Sequence, residues 1–107
     1  MMDTATIATI RERIYEALRT VDDPELGVNV LDLGLVYAVD VREDGYLTLT
    51  MTLTTPGCPM HESLSEGVGM ALQGIEGLTG GEIRLVWEPR WEPSCMTDEG
   101  RRLLGFV

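Results

Sequence analysis

Cys58 is the residue best placed for chemistry, in the run Thr54-Thr55-Pro56-Gly57-Cys58-Pro59. Pro56 and Pro59 each fix their own φ and bias the preceding residue away from the helical region, while Gly57 permits conformations that other residues avoid. The backbone around the thiol is therefore expected to be stiff and sharply bent. Pro59 suits the first position of a helix, which makes Cys58 its N-cap. There the sulfur meets free N–H groups and the positive end of the helix dipole, which favour thiolate over thiol. The position suits a reactive or metal-binding cysteine. The plain alternative is a small buried hydrophobe at an ordinary strand-to-helix turn.

His61 follows three residues after Cys58 at the start of the same helical pattern, so the two side chains can share one face. Two chemistries fit the pair. As ligands, they would be two donors to a soft metal centre, and a stable zinc or iron–sulfur site wants about four. As a catalytic pair, His61 would be the base for a Cys58 nucleophile, although no third orienting group and no cysteine-protease signature surround them. Against both stands His61 as a solvated residue of the helix surface. Cys95, in Pro-Ser-Cys-Met, reads as incidental before it reads as a second thiolate or a disulfide partner. No dinucleotide fingerprint, phosphate-binding loop or hydrolase triad is present.

The composition narrows the classes further. At 107 residues, 44% hydrophobic and 24% charged, the chain has the make-up of one globular domain, residues 1–107. The net charge is −10 and all eight basic residues are arginine. Such a field repels nucleic acid and anionic membrane surfaces, so neither is an expected partner. The lack of lysine excludes Schiff-base chemistry and a P-loop lysine. No apolar run reaches spanning length and no signal-peptide plan opens the chain, so a cytoplasmic location is expected. A reducing compartment would keep the two cysteines as thiols.

The elements that must position Cys58 are legible from periodicity. Ile7, Ile10, Ile14 and Leu18 recur at helical spacing and predict an amphipathic helix from about Thr4 to Arg19. Asp23-Pro24-Glu25-Leu26-Gly27 predicts a single capped turn, with Asp23 as N-cap. Asn29 to Gly34 then leads into a strand in which Leu35, Tyr37, Val39 and Val41 alternate with Val36, Ala38, Asp40 and Arg42. Glu43-Asp44-Gly45 is a hairpin signal. In the next strand Leu47, Leu49, Met51 and Leu53 face one way and Thr48, Thr50, Thr52 and Thr54 the other, so helices should cover only one face.

Beyond Cys58, Met60, Leu64, Val68, Ala71, Leu72 and Ile75 form the stripe of a second helix that ends near Gly74 to Gly77. A third strand is expected from Glu82 to Glu88, with Ile83, Leu85 and Trp87 alternating. The segment from Trp87 to Pro93 reads as a rigid loop holding two tryptophans as core and loop anchors. Thr97 caps a short last helix, with Asp98 and Glu99 in its first turn. The order α-β-β-α-β-α predicts an α+β fold, a two-layer sandwich with a small mixed sheet and helices on one face.

Asp23-Pro24-Glu25, Asp32-Leu33-Gly34-Leu35-Val36, the Thr54–Pro59 run and the tryptophan–proline segment together resemble the iron–sulfur cluster assembly accessory family, SufT-like and PaaD-like. The resemblance covers about Val21 to Gly105. It implies the fold of the iron–sulfur cluster assembly domain and a role in maturing iron–sulfur proteins. Cys58 is then the expected functional thiol, binding or delivering iron or a labile cluster. The resemblance implies a cofactor-binding role for Asp23, Glu25, Asp32, Thr54 and Thr55 beside Cys58, while His61 stays a second candidate metal ligand on its spacing alone. Implied partners are other cluster-assembly proteins and apo clients. Two cysteines per chain cannot make an all-thiolate four-ligand site, so a held cluster implies a homodimer or a partner protein. An accessory protein is expected before an enzyme. The alternatives are an adaptor that needs no thiol, a Cys58/His61 thiol enzyme, and maturation of a ring-oxidising oxygenase. Two departures from the pattern are Arg90 between Pro89 and Trp91, where a second proline is common, and Cys95.

Overall fold

In the computed structural model, residues 3–23, 26–53 and 61–105 are described, except for the side chains of residues 61–63. Helix α1 (Thr4–Leu18) opens the chain, capped by Asp3, whose Oδ1 accepts from the Thr6 N–H at 2.8 Å. Strands β1 (Val36–Val41) and β2 (Tyr46–Met51) form an antiparallel hairpin, with Val39 opposite Leu49 and Val41 opposite Leu47. Helix α2 (His61–Leu72) returns the chain to β3 (Gly80–Leu85), which pairs parallel with β2, and α3 (Asp98–Leu104) ends the fold. Sheet order is β1-β2-β3, so the hairpin's second strand lies at the centre. The predicted α+β fold with a mixed sheet is the one observed.

The core is the meeting of two periodicities. Ile10, Ile14 and Leu18 of α1 and Leu64 and Val68 of α2 are buried against Leu47, Leu49 and Met51 of β2. Thr48 and Thr50, on the other face, stay half-exposed. An Arg11 guanidinium N–H donates to the Val39 carbonyl at 2.8 Å and ties α1 to β1.

Two expectations are corrected. β3 begins at Gly80 and ends at Leu85, not at Glu82 and Glu88. Gly80 and Gly81 look like loop residues, yet they pair with Tyr46 and Leu47. A Cβ on Gly81 would lie 2.9 Å from the Leu47 carbonyl oxygen, so the close approach needs glycine. Trp87 therefore falls beyond the strand and is 40% exposed, not a core anchor. Helix α2 ends at Leu72, and Gly74 follows at φ 84°, so the helix stops near the glycine expected to end it.

Candidate functional site

The Thr54–Pro59 run joins the central strand to the helix that covers it. Residues 54–60 lie outside the described residues, as do residues 24–25. The roles expected of Cys58, Thr54, Thr55 and Glu25, and the capping of α2 by Cys58, therefore rest on sequence. His61 is the first residue of α2, and its side chain is also outside the described set. What the structure describes is the frame around this loop.

Both ends of the loop are anchored in the core. On the entry side the Thr52 N–H donates to the Leu35 carbonyl at 2.8 Å, and Thr52 and Leu53 are buried. On the exit side Leu64 and Val68 of α2 are buried. Withdrawing these apolar side chains from water holds both stems in place. The frame thus fixes where the chain carrying Cys58 departs and where it returns.

Asp23 sits in a tight loop closed by an antiparallel bridge between Asp22 and Asn29. The Asp23 carboxylate accepts from the Leu26 N–H at 3.1 Å, and its backbone bonds to Val28 and Gly27. This is the capping bond predicted, in a turn that does not continue as a helix. Val21, at the entry to this loop, packs beside Gly67 of α2. Asp23 is 8% exposed.

Asp32 has a different set of partners. Asn29 Oδ1 accepts from the Asp32 N–H at 2.9 Å, as an N-cap does, and Asn29 Nδ2 donates to Asp32 Oδ2 at 2.7 Å. Thr97 Oγ1 donates to Asp32 Oδ1 at 2.9 Å, and the Thr97 N–H donates to the Asp32 carbonyl at 2.9 Å. Both carboxylate oxygens are thus engaged within the chain. Gly100, on the first turn of α3, presses on the same carbonyl, where a Cβ would come within 2.4 Å. Asp32 docks the C-terminal helix onto the turn that leads into β1.

That turn was not foreseen. Asn29 caps it, and the N–H groups of Gly34 and Leu35 return to the carbonyls of Leu31 and Val30, closing a Schellman-type end with Gly34 in the left-handed region at φ 76°. The signal was present as Asn-x-x-Asp followed by Gly at the exit. Thr97→Ala removes the cap of α3, where Thr97 Oγ1 accepts from the Gly100 N–H, and the bond to Asp32. We expect a loss of about 1–2 kcal/mol in urea unfolding.

A second group of residues lies around Cys95. This exposed thiol stands on a 3-10 turn, Pro93–Cys95, whose last carbonyl packs against Gly34. Tyr37 on β1 donates its hydroxyl to the Pro89 carbonyl at 2.8 Å, and Trp91 Nε1 donates to the Leu33 carbonyl at 2.7 Å. Trp91 packs on the core as the predicted anchor. Desolvation, and then the nearby Cys95 sulfur, push the Tyr37 phenol above its ordinary pKa; a bond with Thr52 acts the other way. The tryptophan–proline segment is thereby tied to β1 through Tyr37 and to the end of the Asn29 turn through Trp91. Among the described residues no three His, Cys, Asp or Glu side chains converge as a metal site.

The fold and this frame define a class, a small α+β domain that fixes both stems of one strand-to-helix loop. The chain belongs to the iron–sulfur cluster assembly protein family, whose model matches residues 11–85. It is 48% identical to an Fe-S protein maturation auxiliary factor of Porphyromonas gingivalis over 90% of this chain and 91% of that one. With the Fe-S protein maturation auxiliary factor YitW of Bacillus subtilis the identity is 42%, over 91% of this chain and 95% of the relative. A domain of unknown function from Bacillus anthracis, known from a crystal structure, superposes with a TM-score of 0.86. The identity is 34%, and 94% of this chain and 95% of that one are covered.

Proposed function

We propose that this protein is an accessory factor in iron–sulfur protein maturation, in which the Cys58 thiolate takes iron or a labile cluster as cargo and passes it to an apo client. Membership of the cluster-assembly family is the observation that carries this reading. The names of its close relatives support an auxiliary, non-catalytic part in maturation.

The chemistry of the donor set supports a transient hold. Thiolate is the soft ligand that iron–sulfur cargo prefers. With two cysteines in the chain, most ligand positions on the cargo must be filled from elsewhere, and a client cysteine can enter them. Thr54, Thr55, Glu25 and His61 are the sequence's further candidates around Cys58. Asp23 and Asp32 act as positioning residues, each spending carboxylate bonds on the turns that frame the site. No described helix is long and apolar enough to cross a membrane.

The test is complementation of a strain lacking the protein, read as the activity of a cluster-dependent dehydratase. Cys58→Ser should fail to restore activity while still co-purifying with the client. Full restoration by Cys58→Ser would replace the carrier by a thiol-independent adaptor. His61→Ala should restore at least partial activity; its complete failure alongside Cys58→Ser would favour the thiol-enzyme alternative.

A further inference from the structure

β3 is an edge strand with an unusually regular free side. Among the described residues it pairs only with β2, and no backbone hydrogen bond joins its outer edge to another described segment. Gly80, Gly81, Glu82 and Arg84 are exposed. The Val86 N–H donates to the Met51 carbonyl, so even-numbered residues turn their backbone groups toward β2. The N–H and C=O groups of Gly81, Ile83 and Leu85 consequently point outward. An edge of this kind is a template for another strand.

We propose that this edge is a homodimer interface, in which β3 pairs antiparallel with β3 of a second copy about a two-fold axis at Ile83. Three features choose the partner and the register. First, centring on Ile83 sets Ile83 opposite its own mate and Gly81 opposite the mate of Leu85, so every outward backbone group meets another in a hydrogen-bonded pair. Second, Glu82 then lies opposite Arg84 of the other copy and Arg84 opposite its Glu82. These are the closer, non-hydrogen-bonded positions, where cross-strand charges interact best. A centre at Glu82 or at Arg84 would set like charges against each other. Among the described residues neither Glu82 nor Arg84 makes an ion pair within the chain, so both are available.

Third, Gly81, Ile83 and Leu85 share the core face with Leu47, Leu49 and Met51. Gly81 offers no side chain there, and a groove of about 330 Å³ opens beside it, walled by Leu47, Leu72, Leu78 and Ile83. The second copy's Leu85, opposite Gly81, falls at the mouth of that groove. The isologous arrangement repeats all three contacts and yields one continuous sheet across the pair.

The interface is tested on the full chain by sedimentation velocity across a concentration series. Wild type should show a reversible monomer–dimer equilibrium. E82R and R84E should each weaken the dimer by about tenfold or more, because both symmetric pairs become repulsive. An equimolar mixture of the two variants should associate again, since each arginine then faces a glutamate. The double variant E82R/R84E should dimerise like wild type. A wild type that stays monomeric would overturn the proposal, and so would a dimer unaffected by either variant, or variants that fail to complement on mixing. Running the series on Cys58→Ser under reducing conditions separates this surface from the cargo reading, because the edge pairing needs no thiol.

Discussion

Gly34→Ala should lower the stability of the protein by roughly 3 kcal/mol or more. Two costs combine at this position. The backbone sits at φ 76°, where an L side chain costs roughly 1–2 kcal/mol. A Cβ there would also stand 2.1 Å from the Cys95 carbonyl oxygen, against backbone that cannot swing aside as a side chain would. Relief requires moving the 3-10 turn away from the end of the Asn29 turn, which would strain the Trp91–Leu33 bond as well. Gly27→Ala separates the two costs. Its φ is 71°, but among the described residues nothing lies within 4 Å of the added methyl, so only the conformational cost of roughly 1–2 kcal/mol should appear. Chemical denaturation of both variants measures the difference. Equal losses would show that the C-terminal segment does not pack on Gly34.

Leu49→Ala should cost about 2–5 kcal/mol, and Thr50→Ala, one residue on, less than about 0.5 kcal/mol. Leu49 is 0% exposed in the central strand, flanked by Val39 and Ile83, with α1 and α2 above that face. Truncation leaves a cavity that strands on both sides keep from collapsing. Thr50 points to the face without helices and gives up little burial. Urea midpoints for the pair read the two-layer arrangement directly. A comparable loss from Thr50→Ala would mean that the polar face is also covered.

Elements whose signal repeats within a few residues were legible in the sequence. α1 needed only Ile10, Ile14 and Leu18 at helical spacing, and the hairpin only two alternating runs about Asp44-Gly45. Thr97 was recognisable as a cap because its bond is local, reaching Gly100. The start of β3 was not, because Gly80 and Gly81 have no strand preference of their own and pair through the parallel register with β2. Trp87 lost its expected burial for the same reason, since the strand stops before it. At the candidate site, the part played by Asp23 was local and readable. That of Asp32 was hidden, because its decisive partner, Thr97, lies 65 residues away. In the folded chain the Asp32-Leu33-Gly34 stretch is a capped turn that receives the last helix. The chemistry assigned to Cys58 came from residue types and family likeness.

The most direct test of the central claim is anaerobic reconstitution with iron and sulfide, read by absorption and Mössbauer spectra. Wild type, Cys58→Ser and Cys95→Ser are compared at equal concentration. The carrier reading predicts cluster signals in wild type and Cys95→Ser and their loss in Cys58→Ser. Cluster signals of full intensity in Cys58→Ser would contradict it.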